Sequence, residues 1–286
     1  MDLLPVRCDE SAYADYVGLF AKCFPRTSKF TRDYLDWLYR CNPDGQVVGF
    51  DARDGGRLVA HYVCIPARAE IGGNEVRVLL SLNTATHPDY QGQGLFTQLA
   101  ELTYATGASQ GFDCVYGVAN ANSTPGFTRK LNFQLVGSLQ AMVGAGPVGI
   151  DFSKLTSLQF RRTWSAQALA WRCASPANPL ISRREHDRTT FLAPSLFGGA
   201  CMAVAEINDS PSTVTALESN AAAFISPLRL FIGHVPAAAQ RKRFFVDIPK
   251  KWRPSPLNLI YRSLSGRFAA IEQDAFFLHF LDFDAY

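Results

Sequence analysis

The sequence predicts a mixed α/β fold, and three observations carry that reading. Between residues 76 and 106 a strand, a glycine loop and a helix follow one another. Val76, Val78 and Leu80 alternate with Arg77, Leu79 and Ser81; Gly92 and Gly94 interrupt; then Leu95, Phe96, Leu99, Leu102, Thr103 and Thr106 recur at helical spacing. A second strand and helix come directly after, at 114–118 and in the stretch ending at Lys130. The chain has 286 residues, 48% of them hydrophobic, which suits one large domain or two of about 140 residues.

Taken in order, residues 3–7 form a plausible first strand. Residues 11–24 place Tyr13, Tyr16, Val17, Phe20 and Phe24 on one helical face, with Ser11 or Asp9 as cap. Thr31 caps a second helix through Tyr39, and Asn42-Pro43-Asp44-Gly45 ends it with turn residues. Strands follow at 47–52 and 57–65, joined by the hairpin turn Asp54-Gly55-Gly56. The stretch 71–86 supplies the central strand after Gly72-Gly73-Asn74, and another strand starts at Gln134. Residues 144–149, rich in glycine and proline, read as a linker, so two domains are expected, 1–145 and 146–286.

Composition excludes several classes of function. With 28 basic and 25 acidic residues the net charge is only +3, and the short pairs Arg161-Arg162 and Arg183-Arg184 and the triplet Arg241-Lys242-Arg243 read as solvated faces, so no nucleic-acid partner is expected. No apolar run reaches the roughly 18 residues needed to cross a bilayer, so a soluble, cytoplasmic protein with no membrane partner is expected. Seven cysteines at 8, 23, 41, 64, 114, 173 and 201, without a C-x-x-C pair, argue against disulfides and zinc.

The glycine loop has chemical content. The first turn of a helix leaves backbone N–H groups without partners at the positive end of the dipole, and glycines let an anion approach them. A phosphate or pyrophosphate fits; so does a plain flexible turn between two core elements, and the glycines alone leave both open. No lysine followed by Ser or Thr comes after the glycines, and no GxGxxG runs on into the helix. Gln91-Gly92-Gln93-Gly94 instead resembles motif A of the GNAT superfamily of acyl-CoA-dependent N-acetyltransferases, with Phe96 where that pattern ends in Gly or Ala. The strand at 114–118, Asn120, Asn122 and the run Lys130-Leu131-Asn132-Phe133 resemble its motif B. The order β-α-α-β-β-β-α-β-α-β is also that of the GNAT fold. Trp37-Leu38-Tyr39 followed by Asn42-Pro43-Asp44-Gly45 looks like a bacterial branch associated with surface-polysaccharide biosynthesis and suspected of acylating amino sugars.

Beyond residue 149 the pattern weakens. Residues 166–172, then Pro176 and Asn178-Pro179, faintly repeat the helix, Trp and Asn-Pro arrangement of 31–45. Apolar strands are expected at 200–207, 228–232, 257–262 and 276–283, and a helix at 213–224. The expectation is a degenerate GNAT-like half that packs on the first and completes the acceptor pocket.

What the resemblance implies for the reaction follows from the needs of acyl transfer: a neutral amine, a donor to the carbonyl oxygen, and a proton for the leaving thiolate. The resemblance places a backbone N–H near Ala85 or Thr86 at the oxygen, and N–H groups of Gln91, Gly92, Gln93, Gly94, Leu95 and Phe96 at the pyrophosphate. Asn122 falls at the pantetheine of acetyl-CoA or another acyl-CoA. Backbone dipoles balance the phosphates, so no metal is expected. The family's acidic Tyr is Thr128 here; Tyr116, a water, a second-half residue, or departure of the bare thiolate are the alternatives. His61 is the expected base or acceptor ligand, with a satisfied structural histidine as the competing reading and His87 as a loop cap. Asn83 shares the face of Ala85 by the two-residue period and is expected to contact substrate. The acceptor is a small-molecule amine, a nucleotide-linked amino sugar being one candidate, and acyl carrier protein is an alternative donor. Two further readings are a catalytically silent acyl-CoA-binding protein and a tandem GNAT-fold aminoacyl transferase using charged tRNA.

Overall fold

The computed structural model describes residues 1–155, 158–185, 188–196, 199–208, 226–241 and 244–283. The chain divides into two compact units. The first comprises residues 1–67, 76–135 and 260–270, the second 68–75, 136–259 and 271–286.

The first unit opens with β1 (Asp2–Pro5), α1 (Glu10–Cys23) and α2 (Arg32–Tyr39). Asp9 caps α1 by accepting from the Ala12 N–H, and Thr31 caps α2 by accepting from the Tyr34 N–H, each satisfying one orphan donor of the first turn. Then come β2 (Val48–Asp54), β3 (Arg57–Ile71), β4 (Asn74–Thr86), α3 (Leu95–Ser109), β5 (Cys114–Ala119), α4 (Thr124–Lys130) and β6 (Gln134–Ser138). β2 and β3 form a hairpin across Gly55 and Gly56, both at positive φ. β4 runs parallel to β5, and the strand order here is β1, β2, β3, β4, β5, with a late strand beyond β5. Leu79, Leu99, Tyr104, Val115, Phe127 and Leu131 are among the residues of its core, each fully buried aliphatic or aromatic side chain contributing about 1.5–3 kcal/mol.

The second unit holds β7 (Gln140–Ala145), β8 (Phe160–Thr163), α5 (Ala166–Cys173), β9 (Ile181–Glu185), β10 (Arg188–Leu196), β11 (Cys201–Asn208), β12 (Leu228–His234) and β13 (Phe245–Asp247). β14 (Asn258–Ser263) and β15 (Phe276–His279) complete the chain. β9, β10 and β11 form an antiparallel ladder and β12 pairs parallel to β11, the same sequence of directions as β2, β3, β4 and β5. The expected helix at 213–224 lies outside the described residues.

Two expectations change. The stretch 144–149 is not simply a linker: Gly144 lies in β7, which pairs with β12 and β13, and a Cβ there would sit 2.2 Å from the Phe244 carbonyl oxygen. Close backbone approach, rather than flexibility, demands that glycine. The two compact units divide near residue 136, and residues 260–270 belong to the first, where Ile260 joins the core. The strand expected over 276–283 stops at His279, where a 3-10 turn over Phe280–Asp282 begins with the His279 N–H donating to Asp282.

Candidate active site

The pairing of β4 with β5 runs from Val78 opposite Cys114 to Ser81 opposite Gly117 and ends there. Asn83 follows at φ +48, a left-handed conformation that costs a non-glycine residue free energy unless its surroundings hold it. From Ser81 to Thr84 the strand is half-exposed, whereas Ala85 is buried. The His87 N–H then donates to the Val59 carbonyl, keeping the end of β4 on β3.

Behind Asn83 stands a row of buried polar groups. The Asn83 Nδ2 donates to the Tyr39 hydroxyl at 3.0 Å, and that hydroxyl lies 2.9 Å from His61 Nε2. His61 Nδ1 lies 2.7 Å from Asp51 Oδ1, and the Tyr16 hydroxyl donates to Asp51 Oδ2 at 2.9 Å. His61 and Tyr39 are 0% exposed and Asp51 2%. A carboxyl group is tolerated at such depth only when its oxygens are hydrogen-bonded, as they are here by Tyr16 and His61. Tyr16, Phe20 and Tyr39 surround the imidazole with ring contacts at 4.4, 5.5 and 5.8 Å between centroids. Burial pushes the Tyr39 hydroxyl well above its ordinary value, against the smaller opposing effect of the Asn83 hydrogen bond, so it stays protonated.

A second hydroxyl cluster sits where the strands part. The Tyr62 hydroxyl is 2.8 Å from Ser81 Oγ and 2.6 Å from the Tyr104 hydroxyl. Burial raises both phenols, and it pushes the neighbouring Cys64 thiol up to about 12, which leaves no thiolate at neutral pH.

The glycine loop leads into α3. Gly92 and Gly94 have φ of +79 and +76, and Gly94 takes the N-cap place without a side-chain cap. The Gln98 N–H bonds to the Gly94 carbonyl, so the N–H groups of Leu95, Phe96 and Thr97 belong to the open first turn. Gln91, Gly92, Gln93 and Gly94 are exposed, and nothing lies within 4 Å of a Cβ added at Gly92. Tyr90 anchors the loop through its hydroxyl to Asp54 Oδ2 at 2.7 Å, and His87 Nδ1 lies 3.3 Å from the Asp89 N–H as a loop cap. The Phe96 ring, bulky where the motif has a small residue, packs edge-on against Tyr62 and Phe127; Gly126 makes room, since a Cβ there would lie 3.1 Å from the ring.

The structure joins His61 and Asn83 through Tyr39, but shuts His61 off from solvent. Tyr116 is 0% exposed within β5, and the Thr128 hydroxyl is spent on the Thr124 carbonyl. Leu95 is turned into the core, leaving only its backbone for a ligand. The Thr86 carbonyl accepts from Cys23 Sγ at 3.4 Å and Gln91 Nε2 at 3.5 Å. Asn122 is exposed in a turn built on Asn120, whose Oδ1 accepts from the Asn122 and Ser123 N–H groups. Sequence reasoning missed Asp51 and Tyr39. A signal for the first existed: Asp51 is a charged residue inside the otherwise uncharged stretch 47–52.

No group of three or more metal-ligating side chains occurs among the described residues, nor is any helix among them long and apolar enough to cross a membrane. Residues 6–136 match the family model described as acetyltransferase (GNAT) domain. No curated protein matches the chain. Among solved structures, a protein of Enterococcus faecalis V583 described as of unknown function and a probable N-acyltransferase is similar at 10% identity, covering 92% of this chain and 73% of its own, with a TM-score of 0.60. Eis1 from Mycobacterium abscessus is similar at 12% identity, 93% and 74% coverage and a TM-score of 0.57. A GCN5-related N-acetyltransferase from Kribbella flavida is similar at 14% identity, 93% and 73% coverage and a TM-score of 0.60. At such identities the likeness is one of fold. The chain therefore has the GNAT fold, and its residues 6–136 match a GNAT acetyltransferase domain.

Proposed function

We propose that the protein transfers an acyl group, most simply acetyl, from an acyl-CoA to a primary amine. The observation that carries this reading is the end of β4–β5 pairing at Ser81, followed along the chain by the glycine loop and the open first turn of α3. The residues fit the group: an exposed loop with glycines at positive φ, bare backbone N–H groups and open space beside Gly92 suits a pyrophosphate. When bound, acetyl-CoA supplies the acyl group as a thioester.

In this reading the N–H groups of residues 91–96 hold the phosphates, and the end of β4, at buried Ala85 or half-exposed Thr86, offers a backbone N–H to the thioester oxygen. Asn122 meets the pantetheine. Asn83 contacts the acceptor, while His61, being buried, acts only through Tyr39. A nucleotide-linked amino sugar as acceptor is supported solely by the likeness of residues 37–45 to the polysaccharide-associated branch. The second unit reads as a degenerate GNAT-like half, supported by its repeated strand directions.

Calorimetric titration with acetyl-CoA tests the proposal. Micromolar binding to the wild type, lost in a folded Gly94→Trp variant, together with amine-dependent release of free thiol, is the expected result. Binding without thiol release from any amine favours the silent acyl-CoA-binding reading, and no binding of any acyl-CoA overturns the CoA-dependent mechanism.

A further inference from the structure

The row from Asp51 to Asn83 has a fixed polarity. A carboxylate only accepts hydrogen bonds, so in a neutral His61 paired with Asp51 at 2.7 Å it is Nδ1 that carries the imidazole proton. His61 Nε2 is then bare, and among the described residues the hydrogen within reach is that of the Tyr39 hydroxyl at 2.9 Å. Having spent its proton on His61, Tyr39 can only accept, and the group it accepts from is Asn83 Nδ2 at 3.0 Å. The carbamoyl of Asn83 is thereby oriented from three side chains away, with Oδ1 left as its acceptor.

We propose that Asn83 Oδ1 is the atom that receives the N–H of the acceptor amine, and that Tyr39, His61 and Asp51 are positioning residues that hold it in that role. The inference rests on the acyl-transfer reading. Asn83 is the member of the row that is half-exposed, and it stands two residues past the last β4–β5 pair, where its left-handed backbone turns the strand. A group that presents only an acceptor selects a ligand that brings a donor. An amine does so as it attacks, with its lone pair toward the acyl carbon and an N–H toward Oδ1. The polarity explains why a histidine without solvent access is worth keeping: it converts the charge of Asp51 into the orientation of a neutral amide at the surface.

Two measurements test this. In protein labelled with ¹⁵N at histidine, long-range ring correlations report the tautomer of His61; Nδ1–H with a bare Nε2 is expected, and a proton on Nε2, in the other tautomer or in a doubly protonated ring, overturns the relay. In steady-state assays with acetyl-CoA and glucosamine, benzylamine and spermidine as probe amines, Tyr39→Phe and Asn83→Ala raise the amine KM by about tenfold, the loss of one oriented hydrogen bond. Asn83→Asp, which keeps an outward oxygen, recovers much of that loss, and the acetyl-CoA Kd stays within about twofold in all three. An unchanged KM in Tyr39→Phe, or equal impairment of the Ala and Asp variants, overturns the proposal. A wild type that turns over no amine with any acyl-CoA overturns the acyl-transfer reading and Asn83's partner with it, whereas the wrong tautomer removes the relay alone.

Discussion

Asp51 Oδ1 and His61 Nδ1 face each other at 2.7 Å across the β2–β3 hairpin, in direct register and with both side chains closed to solvent. Removing one partner leaves the other buried and unanswered, which costs more than the pair itself contributes. Asp51→Ala should therefore lose about 3–5 kcal/mol in urea unfolding, and His61→Ala a similar amount. Asp51→Asn, which preserves shape and an acceptor, should lose about 1–2 kcal/mol. Equal losses for Ala and Asn would mean that packing, not the carboxylate, carries the effect.

Stability should fall on the alkaline side. Tyr39, Tyr62 and Tyr104 are raised by burial in the folded protein, whereas their unfolded values lie at about 10. The unfolded chain alone releases these protons as pH climbs past 10. Stability is thus fully present below the unfolded value and is lost as pH rises toward the folded ones. Urea midpoints measured from pH 7 to 11 should hold steady and then drop, and the drop should be shallower in Tyr62→Phe.

Phe96 and Gly126 should behave as a pair. Gly126→Leu places atoms where the Phe96 ring lies and should destabilise by about 1–3 kcal/mol. Phe96→Ala, which vacates that space, should make Gly126→Leu cheaper than in the wild type, a coupling readable in a double-mutant cycle. Independent effects would show that Gly126 serves some other purpose.

A fragment of residues 1–145 should not fold cooperatively. It lacks Ile260 of the core and Arg262, which grips both oxygens of Glu101 at 2.8 and 3.0 Å and donates to the Leu131 carbonyl at 2.9 Å. It also loses the Leu264 N–H bond to the Asp113 carbonyl. Circular dichroism should show a broad melt for 1–145 and a sharp one when residues 256–272 are fused back through a flexible linker. A sharp melt of the bare fragment would show that β14 is dispensable.

The parts of this fold legible in the sequence are those governed by neighbours along the chain. Asp9 and Thr31 sit at helix starts because their short side chains reach the N–H groups three residues on, and Gly92 and Gly94 mark a loop because of the φ that glycine adopts without cost. The site was half-legible for the same reason. Asn83 stood out by strand period and His61 by chemistry, but Asp51, Tyr39 and Tyr16 meet them only after α1, α2 and β2 have packed, and no local pattern records such meetings. Gly144 shows the converse failure: its composition reads as a linker, while the approach of Phe244 makes it a strand residue.

The place of β14 beside β5 also sets an order of events during synthesis. β5 ends at Ala119, but Asn258 must emerge before that edge is closed, and at about 5–20 residues per second the wait is on the order of ten seconds. During that time β5 offers an unpaired strand edge, rich in buried-type residues, to any other nascent chain. The part of the protein made first is thus among the last to be finished, and its yield in the cell should depend on what shields that edge while the ribosome completes the rest.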